Sequence, residues 1–218
     1  MRDAFIASLI CALAVFAAVP DFGRPWHRCG RRGANESAAI ATLKNLRTAQ
    51  EQWRRSGVID QDGDGEGEYG YLRELAGDAP SLDVIAPLMS PAFRVVSDGC
   101  VRRSGYVFQV FLPGAENAWL PEAPTGGRVV GAVDADRAER AWLAYAWPQE
   151  QAHVPEKDQR TFVVFADGLV LATDGRQVPY GGDASPARGL AAHRFDGARW
   201  RRCVGQADDA GNVWIRVH

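Results

Sequence analysis

Residues 35–57 predict one amphipathic helix: Asn35-Glu-Ser-Ala-Ala-Ile-Ala-Thr-Leu-Lys-Asn-Leu-Arg-Thr-Ala-Gln-Glu-Gln-Trp-Arg-Arg-Ser-Gly57. Its apolar residues recur three or four positions apart and so share one helical face, while the opposite face is charged. They are Ala39, Leu43, Leu46, Ala49 and Trp53. Asn35 is the predicted N-cap, because its side-chain oxygen can accept a free backbone N–H, and Gly57 suits a left-handed stop. We expect this helix to pack its apolar face against a core.

An acidic, glycine-rich turn follows the helix directly: Asp60-Gln-Asp-Gly-Asp-Gly-Glu-Gly-Glu-Tyr-Gly-Tyr71. Asp60, Asp62 and Asp64 match the first half of a calcium-binding loop. Alternate carboxylates on a tight turn can converge on one hard cation, and the glycines allow the backbone to bend. The bidentate glutamate of the complete loop is missing, because Tyr71 stands at its twelfth position.

Two interpretations of this turn stay open. In the first, calcium orders the loop and stiffens the joint between the helix and the sheet, with Glu66 offering a backbone carbonyl and Glu68 a carboxylate, directly or through water. The predicted ligands are then Asp60, Asp62, Asp64, Glu66 and Glu68. In the second, the segment is a solvated acidic turn without a cation.

The rest of the chain predicts short antiparallel strands, because its apolar runs are rich in aromatic and β-branched residues and are separated by turn residues. The clearest runs are residues 105–112, 141–147, 161–166, 169–172, 199–204 and 212–217. Asp167-Gly168 is the strongest hairpin signal, since Asp-Gly favours a two-residue turn. One helix followed by such strands predicts an α+β fold with the helix packed on an antiparallel sheet.

The N-terminus indicates export. Residues 4–19 form an uncharged run, which is short for a membrane span of roughly 20 residues but suits a secretory signal. We therefore divide the chain into a signal peptide or membrane anchor (residues 1–22), a connector rich in glycine, proline and arginine (residues 23–34) and the α+β domain (residues 35–218).

Composition and cysteine content narrow the function. The net charge of −2 and the pI near 6.1 give no basis for nucleic-acid binding, which would require an excess of basic residues on one face.

The cysteines indicate one disulfide. Cys11 belongs to the leader, so Cys29, Cys100 and Cys203 remain. An oxidising compartment favours one disulfide among them, for which we predict Cys100 with Cys203. Zinc is not expected, because there is no Cys-x-x-Cys motif.

No catalytic motif is visible. The four histidines, His27, His153, His193 and His218, are scattered, and the chain has neither Gly-x-Ser-x-Gly nor His-Glu-x-x-His. The seven tryptophans could form a carbohydrate- or peptide-binding face or fill the core.

The helix of residues 35–51, the strand 104–110, the segment 142–148 and the hairpin 162–170 together resemble type IV pilin-like proteins and type II secretion pseudopilins. The resemblance covers residues 34–180. It implies a long N-terminal helix whose first part lies in a membrane or filament and whose second part lies on an antiparallel sheet. The leader is degenerate, since no glycine precedes the apolar run and the run contains no glutamate.

These observations favour an exported, non-enzymatic, pilin-like module of the cell envelope, structural or interacting, and stabilised by calcium if the acidic turn binds it. Its expected location is the periplasm or envelope, with the N-terminal apolar segment as a tether to the inner membrane. Its expected partners are envelope, pilus or secretion-system proteins. The alternatives are a periplasmic ligand-binding protein with an aromatic face and, third, a hydrolase whose site is assembled in space.

Overall fold

The computed structural model combines one long helix with an antiparallel sheet of seven strands. It describes the backbone of residues 24–78, 86–129, 131–150, 160–177, 180–182, 186, 204–208 and 210–217. Side chains are described from residue 33 onward within these ranges, apart from that of residue 117. The predicted α+β class is confirmed.

The long helix, α1, spans Arg24–Ser56. Its predicted apolar face is confirmed, because all five of its members are buried: Ala39, Leu43, Leu46, Ala49 and Trp53. Gly57 follows the helix with a φ of 62°, the left-handed conformation that the sequence predicted for the stop. Packing of this face against the sheet supplies most of the reason for the helix to form here.

The start of α1 corrects the sequence-based expectation. Residues 24–34, predicted as a loose connector, are helical, so Asn35 lies inside the helix and is not its N-cap. Pro25 is compatible with this start, because the first backbone N–H groups of a helix have no intrahelical acceptor. The Asn35 side chain instead lies so close to Gly105 that a Cβ at residue 105 would clash with it. A contact with the sheet therefore replaces the predicted cap.

The sheet follows the order β1-β2-β4-β5-β6-β7, with every neighbouring pair antiparallel, and β3 also pairs with β2. The strands are β1 (Val101–Arg103), β2 (Tyr106–Pro113), β3 (Trp119–Pro121), β4 (Leu143–Pro148), β5 (Phe162–Phe165), β6 (Val170–Thr173) and β7 (Trp214–Arg216). Both β1 and β3 pair with β2, whose residues 106–111 also pair with β4. Consequently β1 and β3 share one edge of β2.

The hairpin predicted at Asp167-Gly168 is confirmed. It joins β5 to β6, with Phe162 opposite Ala172 and Val164 opposite Val170. Gly168 has a φ of 83°, which an L-residue adopts only with strain, and its N–H donates to the carbonyl of Phe165 at 2.8 Å.

Both faces of the sheet are buried. One face carries Phe108, Val110 and Leu112 of β2 and packs against α1, whereas the opposite face carries Val107 and Phe111 of the same strand. Burial on both sides explains why the strands read as continuous apolar runs and not as an alternating pattern.

Two short helices lie near the acidic turn. They are α2 (Leu72–Leu75) and α3 (Ala135–Ala138). The side chain of Asp134 caps α3 by accepting a hydrogen bond from the N–H of Arg137 at 3.2 Å. The N–H of Tyr69 donates to the carbonyl of Ala138 at 2.9 Å, which fixes α3 beside the end of the acidic turn.

Several predictions fall on residues outside the described ranges. These include the apolar leader, Cys203 and residues 199–203 of the strand predicted at 199–204. The Cys100–Cys203 disulfide therefore stays a prediction, with Cys100 half-buried just before β1. Within the described part of the chain, no helix combines the length and the apolar character needed to cross a membrane.

Candidate metal centre

The acidic turn is ordered by its own carboxylates. The two oxygens of Asp60 accept from the N–H groups of Gly63 and Gly65, at 2.7 and 3.1 Å. Asp64 accepts from the N–H of Glu66 at 2.8 Å in the same manner. The two glycines have φ values of 75° and 92°, so the turn needs them for its backbone path. These bonds fold the loop tightly around its acidic side chains.

Three of the five predicted ligands are brought together. Asp60, Asp62 and Asp64 each direct a carboxylate oxygen into one group, and these oxygens lie within 4.8 Å of one another. Desolvation raises the pKa of Asp62, as do the charges of Asp64 and Asp60, although the N–H of Asp64 lowers it. The turn thus gathers negative charge in one place.

The other two predicted ligands are not part of this group. Glu66 is exposed, and its N–H donates to Asp64, while its backbone carbonyl as a ligand stays a prediction. Glu68 is buried, and its carboxylate accepts from Nη1 of Arg128 at 2.5 Å and from the N–H and side-chain amide of Gln61. These donors already hold the Glu68 carboxylate, which is outside the group of Asp60, Asp62 and Asp64, so its role as a ligand stays a prediction.

Arg128 fixes the far end of the turn. Its guanidinium also donates to both oxygens of Glu74, at 2.9 and 3.3 Å, and to the carbonyl of Tyr69 at 2.9 Å. Burial lowers the pKa of Arg128, but the carboxylates of Glu74 and Glu68 outweigh burial and raise it. The guanidinium therefore stays charged and ties the acidic turn to α2.

A further carboxylate lies beside the aspartates. Glu139 follows α3 directly, and its carboxylate lies within 4.8 Å of those of Asp62 and Asp136. Its side chain is 0% exposed, and no described residue donates a hydrogen bond to either of its oxygens. A buried carboxylate without hydrogen bonds is unusual, because desolvation of the charge is costly.

The environment of Glu139 is strongly negative. Burial raises its pKa first, and the charges of Asp64, Asp62 and Glu66 raise it further. Nη2 of Arg140 is 3.8 Å away and lowers the pKa, but that side chain is 72% exposed and therefore well solvated. Described protein groups consequently compensate the Glu139 charge only in part.

Sequence reasoning missed Glu139 because it belongs to a distant segment. The signal that was present is weak: Asp136 and Glu139 are three residues apart, which places them on one side of a helical turn. Nothing in the local pattern shows that this turn packs against residues 60–64.

The arrangement offers only carboxylate oxygens, the donors preferred by hard cations such as Ca²⁺ and Mg²⁺. No protein-family model, curated protein or solved structure matches this chain.

Proposed function

We propose that the protein is an exported, non-enzymatic, pilin-like module of the cell envelope with a structural or interaction role. One observation supports it above all: the long helix α1 has 33 residues and lies with its apolar face on an antiparallel sheet. At a rise of 1.5 Å per residue such a helix is about 50 Å long. The apolar run of residues 4–19 precedes it closely in the sequence.

The solvent-facing side of α1 supports an interaction role. Along the described side chains it carries polar and charged residues such as Lys44, Asn45 and Arg47, all exposed. In this proposal the apolar run tethers the protein to the inner membrane. The domain is then presented in the periplasm to envelope, pilus or secretion-system proteins.

The tryptophans support a structural use of the aromatic residues. Trp53, Trp142, Trp147 and Trp214 are each no more than 2% exposed, and Trp119 is half-buried. Burial of the first four rings contributes to the core and leaves them unavailable for a ligand-binding face. These four therefore do not offer the exposed surface that the periplasmic ligand-binding alternative requires.

Export is tested by following the full chain, with a C-terminal tag, in a Gram-negative host. We expect it to sediment with membranes, to resist protease in intact cells and to be digested once the outer membrane is opened. The double variant Leu9→Arg, Leu13→Arg should stay in the cytoplasm, because charge in the apolar run blocks insertion. Leu9→Ile, Leu13→Ile is the matched control and should behave like the wild type. A wild-type chain that remains protected after the outer membrane is opened would overturn the proposal.

The non-enzymatic assignment needs its own test. Purified protein should give no turnover on esterase, peptidase and glycosidase substrates. His153 and His193, the residues on which a hydrolase would depend, lie outside the described ranges. Turnover that disappears in His153→Ala or His193→Ala would establish the hydrolase instead.

A further inference from the structure

We propose that Asp60, Asp62, Asp64 and Glu139 bind one calcium ion at a site formed by the acidic turn and the end of α3. Asp136 lies at its rim, exposed but with a carboxylate oxygen within 4.8 Å of those of Asp62 and Glu139. The inference is independent of export and of the envelope role, since it concerns only the folded domain.

The aspartates alone would not carry this inference, because exposed acidic turns commonly bind nothing. Glu139 points to a cation independently: its side chain is 0% exposed, its oxygens accept no hydrogen bond from a described residue, and one of them lies within 4.8 Å of the carboxylate of Asp62. The solvated guanidinium of Arg140, 3.8 Å away, offsets its charge only in part. A buried charge in this position is stable only if something compensates it. A divalent cation between the carboxylates would do so, and it would also reduce the repulsion among them.

In this proposal Glu139 takes the place of the glutamate that is missing from the acidic turn. In a complete calcium loop a glutamate at the twelfth position contributes two oxygens. Here that position is Tyr71, which is buried and whose hydroxyl donates to the carbonyl of Leu120 at 3.0 Å. Glu139 approaches Asp62 from another segment, and neither of its oxygens accepts a hydrogen bond from a described residue.

The backbone holds the two halves of the site together. The N–H of Glu68 donates to the carbonyl of Ile59 at 2.9 Å and closes the acidic turn at its base. The next residue, Tyr69, donates its N–H to Ala138, the residue before Glu139, at 2.9 Å. The turn and α3 are thus positioned before any ion arrives, which lowers the entropy lost on binding.

Calcium fits better than the other common cations. The carboxylates form two groups of three that share Asp62, and calcium accepts six to eight oxygens in a flexible geometry that can draw on both groups. Magnesium demands a near-ideal octahedron and keeps several waters, so it is rarely held by protein groups alone. Zinc, copper and nickel favour nitrogen or sulfur ligands, which the described ligand groups do not provide.

The test uses the full-length protein in detergent, stripped of divalent ions and titrated with calcium chloride by isothermal titration calorimetry. We expect saturable binding at one site. Because calcium binds the folded state, the thermal midpoint should rise by about 5–10 °C at a free concentration a hundredfold above Kd. Absence of both saturable heat and a rise in midpoint would overturn the site. A parallel magnesium titration that gives equal or tighter binding would overturn the choice of calcium.

Variants separate ligation from a structural role. Glu139→Gln should weaken calcium binding at least tenfold, yet without calcium its midpoint should equal or exceed that of the wild type, because a buried, repelled charge is gone. Asp62→Asn should weaken calcium binding similarly and provides the test if Glu139→Gln fails to fold. Glu150→Gln, at an exposed glutamate elsewhere, is the matched control and should bind like the wild type. Unchanged affinity in Glu139→Gln, or in Asp62→Asn if that variant provides the test, would overturn the proposal.

Discussion

The side-chain amide of Gln50 pairs with the backbone of Gly70 through two hydrogen bonds. Its Nε2 donates to the carbonyl oxygen of Gly70 at 2.7 Å, and its Oε1 accepts from the N–H of the same residue at 2.9 Å. Both residues are buried, so the amide provides the hydrogen bonds that the N–H and carbonyl of Gly70 would otherwise lose on burial. Position 70 requires glycine, because a Cβ there would lie 2.8 Å from Nε1 of the buried Trp53. This pair fixes the end of the acidic turn to α1.

Gln50→Leu should destabilise the protein by about 2–4 kcal/mol. The leucine preserves volume but leaves the N–H and carbonyl of Gly70 buried without partners, and each such group costs about 1–3 kcal/mol. Gln52→Leu, at an exposed position on the same helix, is the control and should change stability by less than about 0.5 kcal/mol. Urea unfolding measures both. Equal effects of the two substitutions would show that the pair contributes nothing specific.

Arg128→Ala should destabilise the protein by about 3–5 kcal/mol, because it leaves Glu68 and Glu74 buried without their cation. Arg128→Lys should fall between this variant and the wild type, since an ammonium cannot reproduce the planar fork of donors. Arg55 is the control: its side chain is 75% exposed, and its contact with Glu51 is 3.9 Å long. Arg55→Ala should therefore change the free energy of unfolding by less than about 1 kcal/mol. Loss of less than about 1 kcal/mol in Arg128→Ala would contradict the prediction.

Glu122 should make the stability of the protein depend on pH. Burial raises its pKa from 4.5 to about 7, although its carboxylate accepts from the N–H groups of Gly127, Arg73 and Leu72. In the unfolded chain the group loses its proton near pH 4.5, whereas in the fold it keeps the proton until about pH 7. Between these values the folded state binds more protons, so the contribution of Glu122 to stability falls as pH rises, by roughly 3 kcal/mol in total.

The measurement is the free energy of unfolding of wild type and Glu122→Gln between pH 4.5 and 8. The glutamine stays neutral, so the stability of the wild type relative to the variant should decrease by about 2–3 kcal/mol across this range. The exposed Glu116→Gln is the control, and its curve should run parallel to that of the wild type. Parallel curves for Glu122→Gln and wild type would rule out the raised pKa.

Gly168→Ala should destabilise the protein by about 1–2 kcal/mol for two reasons. Its φ of 83° strains an alanine, and a Cβ would lie 2.5 Å from Nε of Arg47 on α1. Gly205 has a φ of 80° with open space around it, so Gly205→Ala carries the backbone strain alone. Thermal unfolding of Gly168→Ala with and without Arg47→Ala isolates the contact. If Arg47→Ala restores no stability, the crowding is absent.

Much of the fold can be predicted from the sequence, because it depends on residues that are close together along the chain. The apolar spacing of α1 places Leu43, Leu46 and Trp53 on one face whatever they pack against, and the structure buries all three. Asp167-Gly168 specifies its hairpin for the same reason, since a turn involves only adjacent residues. The clustering of Asp60, Asp62 and Asp64 likewise follows from alternate residues on a tight turn.

What the local pattern could not supply depends on contacts between distant segments. The helix continues through residues 24–34, where glycine and proline predicted a connector. Glu68 is bound by Arg128, sixty residues away, and its carboxylate is not in the group that Asp60, Asp62 and Asp64 form. Glu139 enters the cluster only because α3 packs against the end of the acidic turn. Sequence spacing encodes which residues can share a turn or a helical face, whereas tertiary packing alone determines which separate turns meet and which buried charges then face one another.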